Sequence, residues 1–229
     1  MASKTKQNCL KKYILIGRCE CDGIVSFPFF WAEELIPFAK TKNFDVIDLK
    51  RENFCKDKIK THIEEKNPSI IFLNGHGDEF SVRGYLQEQV IILGENDHLF
   101  NGKIAHIISC KTALFLGQSM KDKGCIGFLG YNGPFHIETD YNPEKDKDMI
   151  ANFFKEGVNS ASRILIGGGS VKEAYEKSQE IYKKNIEFCK GIYFTGIINF
   201  NIQLSDEKRD MIGLAISALE KNKDSQVYL

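Results

Sequence analysis

The sequence predicts an α/β fold: a three-layer α/β/α sandwich built on a mostly parallel sheet of about six strands. Three observations predict it. Short, β-branched apolar runs recur along the chain and close on turn-type residues, as buried parallel strands do. Stretches of helical period separate them, and strands that alternate with helices imply a sheet covered on both faces. No internal repeat or low-complexity linker divides the 229 residues, so the chain reads as one domain, able to bury a core without metal or disulfide.

The elements follow in order. Residues 1–11 are polar and basic and read as a loose tail. Tyr13 to Gly17 is a first strand, followed by the loop Arg18-Cys19-Glu20-Cys21-Asp22-Gly23. A helix runs from about Phe27 to Ala39, with Pro28 tolerated in its first turn and Pro37 bending or ending it. Asp45 to Leu49 is a second strand. Residues 53–66 read as a helix stopped by Asn67-Pro68. Ile70-Ile71-Phe72-Leu73 is a strand that ends in Asn74-Gly75-His76-Gly77. Phe80 to Leu86 and Gln89 to Leu93 read as a hairpin or an irregular excursion. Ile104 to Ile108 is a strand that ends in Ser109-Cys110. Thr112 to Lys121 reads as a helix and Cys125 to Gly130 as a strand. Tyr131 to Asp148, with Asn132-Gly133-Pro134 and Asn142-Pro143, reads mainly as loop. Residues 144–157 and 170–189 look helical. Ile192 to Asn199 reads as the last strand and 205–222 as the last helix.

Composition narrows the function. Lys+Arg and Asp+Glu both count 31, so there is no basic excess of the kind a nucleic-acid binder carries. No apolar run approaches a bilayer span. Met1-Ala2-Ser3-Lys4 has no h-region after it, which points to the cytoplasm. Seven cysteines form no disulfide framework and no paired C-x-x-C, so a structural zinc site is not expected.

Loops at the C-terminal ends of neighbouring parallel strands carry chemistry. His76 and Cys110 therefore belong at one sheet edge, where a thiol nucleophile and its base are required. Backbone donors must meet the charge that develops on an attacked carbonyl oxygen. Gly77 could supply one N–H, since no side chain blocks close approach, and Cys110 another.

Apolar strand–Asn-Gly-His-Gly, apolar strand–Ser-Cys, a helix, then Gly-Cys-Ile-Gly-Phe-Leu-Gly-Tyr together resemble the caspase-like cysteine peptidases: caspases, metacaspases, gingipains, clostripain, separase and bacterial CHAT-domain proteases. The resemblance covers roughly Tyr13 to Leu204, with only the two dyad motifs specific. It implies the caspase–haemoglobinase fold, His76 as general base and acid, Cys110 as nucleophile, and the Gly77 and Cys110 amides as oxyanion donors. Ile-Ser-Cys-Lys-Thr-Ala departs from the Gln-Ala-Cys-x-Gly of caspases and the Ser-Ala-Cys-x-Thr-Gly common in CHAT domains, so the subfamily stays open and Asp specificity is not supported.

In such a fold the S1 pocket draws on the loop after the first strand and the regions around the cysteine strand. Those regions offer Glu20, Asp22, Asp78, Glu138 and Asp140 against the single base Arg18, which would favour Arg or Lys at P1. The expected partners are a protein or peptide substrate and a regulatory protein, with no nucleic acid and no membrane. No cofactor and no metal is expected from the residues; Ca²⁺ is suggested only by clostripain-like relatives. The resemblance further implies a regulatory protease acting after a stress or immune signal. The alternative is a catalytically silent CHAT-like interaction module. The polar segment Glu138–Asp148, with Lys145 and Lys147, is a candidate for activation cleavage. The other six cysteines read as small hydrophobes, His106 as a core histidine, His62 and His98 as surface residues, and His136 as a minor rival for the base. Gly167-Gly168-Gly169-Ser170 reads as a turn into a helix, with Glu173 completing a capping box.

Overall fold

The computed structural model describes residues 11–20, 23, 26–141, 147–199 and 202–229. It is an α/β/α sandwich on a six-stranded sheet. In chain order the elements are β1 (Lys12–Arg18), α1 (Ser26–Trp31), α2 (Leu35–Thr41), β2 (Phe44–Lys50), α3 (Lys56–Lys66), β3 (Ile70–Asn74), β4 (His76–Gly77), β5 (Ser81–Arg83) and β6 (Gln89–Ile92). Then come β7 (Ile104–Ile108), α4 (Leu116–Asp122), β8 (Gly127–Tyr131), α5 (Met149–Ile166), α6 (Val171–Thr195), β9 (Ile197–Asn199), β10 (Ile202–Gln203), α7 (Asp206–Ser225) and β11 (Gln226–Tyr228). The main sheet runs β11-β8-β7-β3-β1-β2. Its strands pair in parallel except β11, which lies antiparallel on β8.

Strand alternation builds the two faces. Leu15, Ile71, Leu73, Ala105 and Ile107 pack on Ile59 and Ile63 of α3 and on Leu116 and Met120 of α4. Ile14, Ile16, Ile70, Phe72 and Leu129 face the other way, against Leu35 and Ala39 of α2 and Ala161 and Leu165 of α5. Both faces are covered, so β1, β3 and β7 read as continuous apolar runs. A third cluster, with Trp31, Tyr131, Phe154 and Tyr182, joins the cysteine edge of the sheet to α5, α6 and α7.

Several elements depart from the sequence reading. The segment expected as a last strand, Ile192 to Asn199, is helical up to Thr195. Ile186, Cys189 and Ile192 continue the buried stripe of α6, and Gly196, at φ 68°, ends it in the left-handed conformation. Only β9 remains as strand, and it pairs with β10 outside the main sheet. The sixth strand is β11, too short for its period to show in the sequence. The helix expected over 144–157 is α5, Met149–Ile166, capped by the buried Asp148. Residues 111–115 are turns, and α4 starts only at Leu116. Cys19 is disulfide-bonded, against the expectation of plain thiols, whereas Cys55, Cys110, Cys125 and Cys189 are free. Ser170 and Glu173 do form the capping box on α6. Among the described residues no helix is long and apolar enough to cross a membrane.

Candidate active site

β3 and β7 are adjacent and in register, with Asn74 opposite Ile108. Their exits therefore emerge side by side. The chain leaving β3 turns at Gly75, whose N–H approaches the Ile108 carbonyl at 3.4 Å. A side chain there would run into the Arg83 carbonyl. His76 and Gly77 then pair with Arg83 and Val82 of β5, which fixes the histidine loop as the first strand of a small antiparallel sheet. The chain leaving β7 places Ser109, whose hydroxyl donates to the Gly75 carbonyl at 2.8 Å. The two loops pack backbone to side chain. A Cβ on Gly77 would lie 2.7 Å from Ser109 Cβ and 3.0 Å from Thr112 Cγ2.

His76 and Cys110 line one cleft of about 40 Å³, together with Gly75 and Ser109. Its other lining residues are apolar: Pro28, Ile108, Phe135 and Ile137. The Phe135 N–H donates to Cys110 Sγ at 3.3 Å. Lys111, next to the cysteine, sits at φ 59°. That left-handed backbone is uncommon for lysine, and such residues gather at functional turns. It is held by its N–H to the Gly133 carbonyl at 2.9 Å and its ammonium to Glu79 Oε1 at 2.9 Å. The ion pair raises the Lys111 ammonium and lowers the Glu79 carboxyl from their ordinary values.

The segment that carries Phe135 and Ile137 is tied down from two helices. Asn222 of α7, fully buried, donates to the His136 carbonyl at 2.6 Å and accepts its N–H at 2.8 Å. Asp148, also fully buried, accepts from Thr139 Oγ1 at 2.5 Å and from the Asp140 N–H while capping α5 through the Ala151 N–H at 2.8 Å. Pro28 is held in turn by Asn74, whose side-chain amide donates to the Pro28 carbonyl at 3.0 Å. Asn74, Pro28, Phe135, Ile137 and Asn222 were not singled out from the sequence. The signal available was the alternation Phe135/Ile137 directly after Asn132-Gly133-Pro134, inside a segment read as loop.

Of the acids expected around S1, the described ones do not line this cleft. Glu20 pairs with Arg51. Asp78 accepts from the Phe80 N–H, from Ser81 and from Arg83. Burial would raise its carboxyl, but those donors and Arg83 hold it below the usual range. Glu138 and Asp140 are half-buried and do not line the cleft. Asp22 lies outside the described residues, as do 142–146 of the expected cleavage segment. Arg18 is no free base: it is buried and bound to Asp48, to Glu33 and to the Phe29 carbonyl. His136 does not line the cleft either; burial first, then Lys221, lowers its imidazole. His106 lies inside β7, fully buried, with Nδ1 3.0 Å from Ser162 Oγ, and burial lowers it to about 3. Among the described residues no three His, Cys, Asp or Glu side chains gather to hold a metal ion, and no step below involves one.

No family model and no curated protein sequence matches the chain. A solved structure does: the complex of Porphyromonas gingivalis RgpB pro- and mature domains superposes with a TM-score of 0.51 at 9% identity, over 96% of this chain. The chain has a caspase-like fold. A second structure, of the Arg specific cysteine proteinase gingipain R (RgpB), is matched over 77% of this chain at 11% identity and a TM-score of 0.46. The chain spans 47% and 43% of the length of these two neighbours. At these identities the likeness concerns the fold. What this caspase-like chain can do must be argued from its own cleft.

Proposed function

We propose that the chain is a cysteine endopeptidase in which His76 and Cys110 form the catalytic dyad. One observation carries the reading: a free thiol and an imidazole, on the exits of adjacent parallel strands, line one cleft, with a backbone N–H directed at the sulfur. His76 takes the thiol proton, and the sulfur attacks the scissile carbonyl carbon. The oxyanion is met by the N–H groups of Gly77 and Cys110. Collapse expels the amine, which leaves with the proton from the imidazolium. A water, deprotonated by His76, then attacks the thioester, the acid product departs, and the sulfur recovers its proton. The substrate is a protein or peptide. A regulatory role, cutting few targets after a stress or immune signal, rests on the family resemblance.

The test is alkylation of Cys110 by iodoacetamide, read by peptide mass, beside digestion of a peptide library. Wild type should alkylate at Cys110 faster than a model thiol, and His76→Ala should slow it by about 100-fold. Library cleavage should vanish in Cys110→Ala. An ordinary alkylation rate that His76→Ala leaves unchanged would end the proposal.

A further inference from the structure

We infer that the cleft beside Cys110 is a pocket for one uncharged, aliphatic P1 side chain, so that the substrates are peptides cut after residues such as leucine. This rests on the peptidase reading above and goes beyond it. Four walls carry the inference: Pro28, Ile108, Phe135 and Ile137. None bears a charge or a side-chain hydrogen-bonding group. Ile108 and Ile137 are only 7% and 4% exposed, and both pack into the cluster of Phe27, Trp31 and Tyr131. Phe135 lies on the Tyr131 ring at 4.7 Å between centroids. The walls are therefore backed by close-packed core and do not fold away to admit solvent.

An ammonium, guanidinium or carboxylate entering such a site would lose its water without gaining a partner. The described carboxylates nearest in sequence are already paired or lie off the cleft: Glu20 on Arg51, Asp78 on Arg83. Arg18, the base that would have welcomed an acid, is bound to Asp48 and Glu33. The cleft volume, about 40 Å³, is room for about three water-sized groups, which suits a single small side chain. The imidazole and sulfur on the same cleft place that side chain next to the carbonyl it belongs to.

The experiment uses the full chain and tetrapeptidyl acyloxymethyl ketones that differ only at P1: Leu, Lys, Asp and Phe. In labelling, Cys110 Sγ bonds to the ketone methylene and the carboxylate leaves, so each rate is read as a fixed mass gain on the Cys110 peptide. The Leu probe should label at least about 10-fold faster than the Lys or Asp probe. Phe135→Ala keeps the backbone N–H on the sulfur and widens the pocket, so it should shift the Phe:Leu rate ratio upward by about fivefold or more. A Lys or Asp probe that labels fastest, or four rates within threefold of one another, overturns the apolar pocket while leaving the peptidase reading intact. Failure of every probe at a Cys110 that iodoacetamide still modifies overturns both.

Discussion

His106 stands inside β7 and His76 just past the end of the neighbouring β3, and the two live in different regions of the molecule. His106 is in the middle of β7, wholly buried, and faces Ser162 of α5. His76 stands two residues past the end of β3, half-buried, on the rim of a cleft. Within the sheet both faces are covered, and a polar side chain must find its partner inside the protein. Past the last ladder bond the backbone is free to turn, and it is there that Gly75, Gly77 and the left-handed Lys111 occur. The same residue type is a packing element in one region and a candidate base in the other. What separates them is their position on the sheet: His106 pairs in register with Phe72 in mid-strand, and His76 follows the strand's end.

The largest effect that sharpens this contrast is expected at Gly77. Gly77→Ala would push a methyl into Ser109 and Thr112 and part the histidine loop from the cysteine loop. Turnover of a preferred peptide should fall by about 100-fold, as a misplacement of roughly 1 Å does. Overpacking should also cost about 1–3 kcal/mol in chemical denaturation. Turnover within twofold of wild type would mean the two exits do not depend on their contact.

A smaller effect is expected at Asn222, which belongs to neither loop. Its bidentate grip on His136 holds the segment whose preceding residue, Phe135, donates through its N–H to Cys110 Sγ. Asn222→Ala leaves the His136 N–H and carbonyl without their partner, worth about 1–3 kcal/mol of stability. Cys110 alkylation should slow several-fold, while Asn222→Asp, which keeps an acceptor for the His136 N–H, should retain part of the rate. Equal alkylation rates in all three proteins would show that the helix does not act on the sulfur.

The strand exits were legible because their residues announce them. Ile70-Ile71-Phe72-Leu73 and Ile104 to Ile108 are short apolar runs without a polar helical face, and Asn-Gly-His-Gly and Ser-Cys close them with turn-type residues. The walls of the cleft were not legible. Pro28 is brought in by Asn74 across 46 positions and Phe135 and Ile137 by helices much later in the chain. Such contacts leave no local period. β11 was missed for a similar reason: Gln226, Val227 and Tyr228 follow α7 without a turn signal and become strand only because β8 offers an open edge. The acids expected at S1 show the converse limit. Their number in the right loops was visible, but whether each was already paired was a property of the folded chain.

The smallest expected effect on turnover is at His106, and it is the clearest break between the two regions. Burial lowers this imidazole to about 3, whereas in the unfolded chain it titrates near 6.5. Its contribution is complete above about pH 6.5 and is lost as pH falls toward 3, because over that window the unfolded chain binds a proton that the folded one refuses. The loss approaches about 1.4 kcal/mol per pH unit from this residue alone. His106→Leu should flatten the fall in stability between pH 6 and 4 in urea titrations, at some cost at neutral pH because Ser162 loses one of its two partners and keeps only the Val158 carbonyl. Peptide turnover at pH 7 should be unchanged within about twofold, since His106 touches nothing in the cleft. If His106→Leu instead abolished turnover in a folded protein, strand interior and strand exit would not be separable, and the assignment of the base to His76 would have to be reopened.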